Sequence, residues 1–106
     1  MRRFHIAFAV ADIDRSVKDY TTRLGYGPVL VVEGEYALWR TPTLNLSIRK
    51  TTQGIGTIRH LGWEDDEAPA FITDIDSNGI FWECFTARHQ AQEIREVWPD
   101  VHYDPE

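Results

Sequence analysis

Residues 4–10, Phe-His-Ile-Ala-Phe-Ala-Val, alternate with period two, and three residues later the apolar spacing changes to that of a helix. A strand that passes at once into a helix commits the chain to a mixed architecture in which each must cover the other. One face of the strand carries Phe4, Ile6, Phe8 and Val10, large enough to pack on a core. The opposite face carries His5, Ala7 and Ala9, and a face of small residues with a lone histidine is expected to line a site. Asp12 and Asp14 are N-cap candidates; Ile13, Val17, Tyr20 and Leu24 then make one helical stripe, and Gly25 stands where a left-handed C-terminal cap belongs.

Further along, Pro28 to Val32 and Tyr36 to Arg40 bracket Glu33-Gly34-Glu35 and read as a hairpin, with Thr41-Pro42 as the next turn. Residues 43–49 alternate again, Leu44, Leu46 and Ile48 against Asn45, Ser47 and Arg49. Residues 51–56 are polar and glycine-containing. A fifth strand over 57–64 divides into Ile58, His60, Gly62 and Glu64 on one face and Arg59, Leu61 and Trp63 on the other. Residues 70–74 and 80–85 flank an Asp76-Ser77-Asn78-Gly79 turn. Ala87, Ala91, Ile94 and Trp98 recur at helical spacing until Pro99. A weak repeat of about fifty residues is visible, outside the solenoid class. A chain of 106 residues suits one domain, 1–106.

Charge and cysteine content narrow the function classes. A net charge of −6 opposes binding to a phosphate backbone, so no nucleic-acid partner is expected. No apolar run reaches the ~20 residues of a membrane span. Cys84 has no second cysteine to pair with, and the N-terminal residues hold no signal-peptide pattern, which together point to a cytoplasmic location. The run from Asp74 opens like a calcium loop, but the position that needs a bidentate glutamate is Phe85, so it reads as a turn.

The constellation that carries chemistry is spread along the chain. His5 and His60 lie on strand faces with small neighbours, and Glu83 shares a face with Phe81 and Phe85. Two imidazoles and one carboxylate are the donor set of zinc hydrolytic sites and of the triad that holds iron(II) with open positions.

The order strand-helix-strand-strand-strand, with a histidine in the first strand, resembles the vicinal oxygen chelate superfamily of glyoxalase I, bleomycin-resistance proteins, fosfomycin-resistance enzymes and extradiol dioxygenases. The stretches that carry the resemblance are residues 5–17, 20–26, 58–64 and 76–83. It implies an α+β fold of paired βαβββ modules, 1–50 and 57–98, forming a curved mixed-sheet cup. The second module is shortened, because only 83 − 60 = 23 positions separate His60 from Glu83. Its helix is expected at 87–98, displaced to the C-terminus and lying on the outer face of the sheet. The resemblance also implies that His5, His60 and Glu83 hold a divalent metal ion: iron, manganese, zinc or nickel. The glyoxalase-type fourth ligand, a glutamate in the fourth strand, is replaced here by Asn45 or Ser47, which leaves the His-His-Glu set that the dioxygenase branch resembles. Members commonly pair, so a homodimer is expected.

Two functions compete. One is a small metal-dependent enzyme, a lyase or isomerase or a dioxygenase, acting on a small molecule with vicinal oxygens. In it Glu64 or Asn45 acts as an acid/base or orienting group, and Ser47, Arg49, Phe81 and Phe85 line the pocket. The other is a metal-free, drug-sequestering dimer of the bleomycin-resistance kind, whose acidity and four tryptophans suit a cationic aromatic ligand.

Overall fold

A computed structural model describes residues 1–105. The elements are β1 (Arg2–Val10), α1 (Ile13–Leu24), β2 (Leu30–Val32), β3 (Tyr36–Arg40), β4 (Leu44–Lys50), β5 (Ile58–Asp65), β6 (Ile72–Ile75), β7 (Phe81–Phe85) and α2 (Ala87–Val97). The class is α+β, with one seven-stranded open sheet in the order β2-β3-β4-β1-β5-β7-β6. Strands β1 and β4 are parallel, as are β5 and β7, while β1 and β5 run antiparallel at the centre. No helix is long and apolar enough to cross a membrane among the described residues.

Helix α1 begins where Asp12 accepts a hydrogen bond from the Arg15 amide, and ends at Gly25, whose φ of 75° lets its N–H return to the Thr21 carbonyl. Its stripe of Ile13, Val17, Tyr20 and Leu24 packs with Ile6, Phe8, Val10, Ala37, Trp39, Leu46 and Ile48, forming the core on one face of the sheet. The Trp39 ring is fully buried there and its indole N–H donates to the Tyr26 carbonyl. The large face of β1 therefore packs as its alternation predicts. Strand β2 starts at Leu30 instead of Pro28, and β6 is a short edge strand with every residue exposed.

The opposite face of the sheet carries His5, Ala7, Ala9, Tyr36, Leu38, Asn45, Ser47 and Arg49, as the strand registers require. Helix α2 lies on this face: Ile94 joins Tyr36 and Leu38 in a second core, flanked by Leu30, Val32, Trp98, Val101 and Tyr103. The expectation of this helix on the outer face of the sheet is therefore corrected: it lies on the face that carries His5. The reason is that β3 is apolar on both faces, so both need cover. Tyr36 and Leu38 would be left in water with α1 on the other side. Only 87–98 remains to cover them.

Strand β5 departs from simple alternation. Its register with β1 shifts between Ala7, opposite His60, and Phe8, opposite Ile58, so Arg59 is an extra residue. His60, Gly62 and Glu64 keep the face expected of them, but Ile58 falls opposite Phe8, whose ring belongs to the α1 side. Arg59 is carried to the His60 side, where it lines a cavity. Gly62, the small neighbour of His60, has a backbone role. With φ of 157°, it lets β7 approach so closely that a Cβ would strike the Glu83 carbonyl.

Candidate metal centre

β1, β5 and β7 lie side by side in the sheet, and the registers His5↔Gly62 and Gly62↔Glu83 bring three chemical groups from distant parts of the chain together. His5 Nε2 and His60 Nε2 are 2.9 Å apart. Glu83 Oε1 stands 3.1 Å from His60 Nε2 and 3.9 Å from His5 Nε2. Each residue offers one ligand atom, all within 4.8 Å of one another. His5 is 1% exposed, and the side chains of His60 and Glu83 are 17% and 16% exposed, so the cluster has one buried end and one end open to a cavity.

Hydrogen bonds behind His5 fix its tautomer. Its Nδ1–H donates to Asn45 Oδ1 at 2.9 Å and lies 3.1 Å from the Asn45 carbonyl. The Asn45 amide cannot turn over, because its NH₂ donates at 2.8 Å to both Glu64 Oε1 and Gln90 Oε1. Glu64 in turn receives Arg3 and, through two nitrogens, Arg40, at 2.7–2.9 Å. The His5 Nε2 lone pair is thereby directed at His60 and Glu83, as a ligating imidazole requires. With His5 holding its only proton on Nδ1, the short contact between the two Nε2 atoms requires a hydrogen on the His60 nitrogen in the metal-free protein.

The titration of the cluster follows from its burial. Burial pushes His5 below the ordinary imidazole range despite its bonds to Asn45, and burial together with the adjacent His5 pushes His60 down to about 3. Burial, reinforced by Glu93, raises Glu83 to about 7. Neutral imidazoles and one proton-holding carboxyl are therefore the resting state in mildly acidic solution. The donor chemistry fits a divalent ion: two neutral nitrogens and one carboxylate that a cation would deprotonate.

A cavity of about 150 Å³ opens from the cluster. Its walls include Ser47, Arg49 and Phe85, together with Tyr36, Arg59, Phe71, Gln90, Glu93 and Trp98. Phe81 is corrected: it is 47% exposed at the start of β7 and does not line the cavity. Phe71 stacks on Phe85 instead, with ring centroids 5.3 Å apart. Glu64 is also corrected as an acid/base group. Its burial opposes ionisation, yet the bonds from Arg40 and Asn45 and the charges of Arg40 and Arg3 hold it below the usual carboxylate range. With its lone pairs occupied and its side chain 1% exposed, it does not line the cavity. Asn45, fully buried, is an orienting group for His5 and not a wall of the cavity. Sequence reasoning missed Arg59, Phe71, Gln90 and Glu93. For Gln90 and Glu93 the available signal was the two-sided apolarity of β3, which calls α2 onto this face.

No protein-family model and no curated protein matches the chain. Among solved structures it is similar to one described as NAD-dependent benzaldehyde dehydrogenase from Legionella pneumophila, with a TM-score of 0.54 and 12% identity over 78% of this chain and 97% of that one. At that identity the likeness concerns the fold alone.

Proposed function

We propose that the chain is a small metal-dependent enzyme of the glyoxalase and dioxygenase kind, holding a divalent ion through His5, His60 and Glu83. The observation that supports this reading most is the convergence of three ligand atoms behind which Asn45 fixes the His5 tautomer. The two βαβββ modules of that superfamily correspond in this reading to 1–50 and 57–98, the second lacking its internal helix. An ion bound there would polarise neighbouring oxygens of a substrate and stabilise charge developing on them. The chain's own residues supply the rest. Phe71 and Phe85 shield one wall from water, and the Ser47 hydroxyl, bonded to Tyr36, faces the cavity. Glu83 holds a proton at its carboxyl until the ion displaces it. Pairing with a second copy fits the outer face of β5, β7 and β6, where Ile58 and Ile72 are exposed.

The drug-sequestering alternative has less support. A cavity of about 150 Å³ suits a small molecule, and two arginines in its wall oppose a cationic ligand. Elemental analysis of protein purified without chelator, with calorimetric titration of zinc and anaerobic iron(II), tests the proposal. We expect near-stoichiometric uptake that is lost in His60→Ala. Unchanged stoichiometry in that variant sinks the model.

A further inference from the structure

Two guanidinium groups, Arg49 from β4 and Arg59 from β5, enter the wall of the same cavity as His5, His60 and Glu83. Arg59 arrives there only because of the extra residue in β5; regular alternation would aim it at the α1 side with Leu61 and Trp63. Both are half-buried, and neither has a hydrogen bond or ion pair with a carboxylate among the described residues. Arg49 lies over the Trp98 ring, 5.2 Å from its centroid. The other half-buried arginines, Arg3 and Arg40, are both neutralised directly by Glu64. The remaining titratable groups facing the cavity are His5, His60, Tyr36, Glu83 and Glu93; Glu83 acts on Arg59, and Glu93 on both arginines, through space without an ion pair to either. Two like charges brought together in a small, partly dry cavity repel, and a fold tolerates this where an anion is to be held.

We infer that Arg49 and Arg59 form an oxyanion-binding subsite, so that the ligand of this cavity is a small organic acid. Its carboxylate or phosphoryl head sits at the two guanidinium groups, and a neighbouring oxygen faces the His5, His60 and Glu83 cluster. This deepens the function proposed above and rests on it for the placement of the second oxygen, whereas the anion subsite itself needs no metal. A cavity of about 150 Å³ limits the ligand to a few non-hydrogen atoms beyond the head group.

Because Arg49 lies against Trp98, an anion that draws the guanidinium away changes the indole environment, and tryptophan fluorescence reports it. The full chain is titrated, as purified and after zinc loading, with pyruvate, with inorganic phosphate and with pyruvamide as a neutral isostere. A saturable change with pyruvate or phosphate and none with pyruvamide is expected; preference between the two anions assigns the head group. Arg59→Met and Arg49→Met are each expected to weaken anion binding about ten- to a hundred-fold, as loss of a charge-assisted hydrogen bond does. Arg59→Lys should recover part of it. Zinc uptake measured by calorimetry stays at the wild-type stoichiometry in all three variants, which also shows that they are folded. Pyruvamide binding as well as pyruvate, no binding of either anion, or binding unchanged in both methionine variants would overturn the inference. Loss of zinc binding in wild type with anion binding intact would overturn only the metal reading.

Discussion

Asn45 decides which nitrogen of His5 faces the cavity. Its side-chain oxygen takes the Nδ1 proton because its NH₂ is held by Glu64 and Gln90, and Glu64 is held by Arg3 and Arg40. Asn45→Leu keeps the branched shape of the side chain with somewhat more bulk, and leaves His5 Nδ1 without its amide partner and Glu64 and Gln90 without a donor. We expect zinc affinity to fall about 10–100-fold in that variant, the range over which partners of ligating imidazoles act. Calorimetry with the same affinity as wild type would show that the backbone carbonyl alone holds the ring. At this scale the sequence was informative about residue type and face, since His5, His60, Glu83, Asn45 and Ser47 all lie on the face their alternation implies. It was silent about partnership. Glu64 reads as a free acid on a site face until Arg3 and Arg40, 61 and 24 residues away, are seen to close on it.

Strand β5 shows what alternation can and cannot convey about an element. A bulge adds one residue without changing composition, so Arg59 is assigned to the wrong face while His60, Gly62 and Glu64 are assigned correctly. The helix periodicity of 87–98 likewise establishes that α2 exists, and says nothing about which side of the sheet it covers. That information sits in β3, where Tyr36 and Leu38 on one face and Ala37 and Trp39 on the other are all buried. Gly62 yields the sharpest prediction about this element. Gly62→Ala places a methyl group against the Glu83 backbone, and because the neighbour is main chain the strands must separate. We expect a loss of about 2–4 kcal/mol in urea unfolding, with weakened zinc binding as Glu83 moves. A loss below ~0.5 kcal/mol would mean that β5 and β7 slide apart freely.

For the molecule as a whole, the shifted groups oppose one another between pH 4.5 and 7, where Glu83 favours acid and the two histidines favour base, and leave the metal-free protein's stability level above about 7. Glu83 binds its proton at about 7 in the fold and at 4.5 in the open chain, so stability declines as pH rises through that interval. His5 and His60 resist protonation in the fold but accept it at 6.5 when unfolded, so stability also declines as pH falls below 6.5. The depressed Glu64 adds to the loss below 4.5. Thermal stability should therefore rise from pH 4 to about 7 and level off above it, and Glu83→Gln, which removes the opposing contribution, should steepen the rise between 4.5 and 7; a rise of unchanged steepness in that variant contradicts the assignment. The wide sequence spacing of the cluster has a consequence for the order of events in the cell. His5 and His60 are 55 residues apart, and Glu83 comes later still, so no short stretch of a nascent chain holds two of the three together. An ion held as proposed would therefore find its ligands only once synthesis has passed β7 and the sheet has closed. On the proposed reading, newly made chain would not take up metal on the ribosome, and loading would report a finished fold.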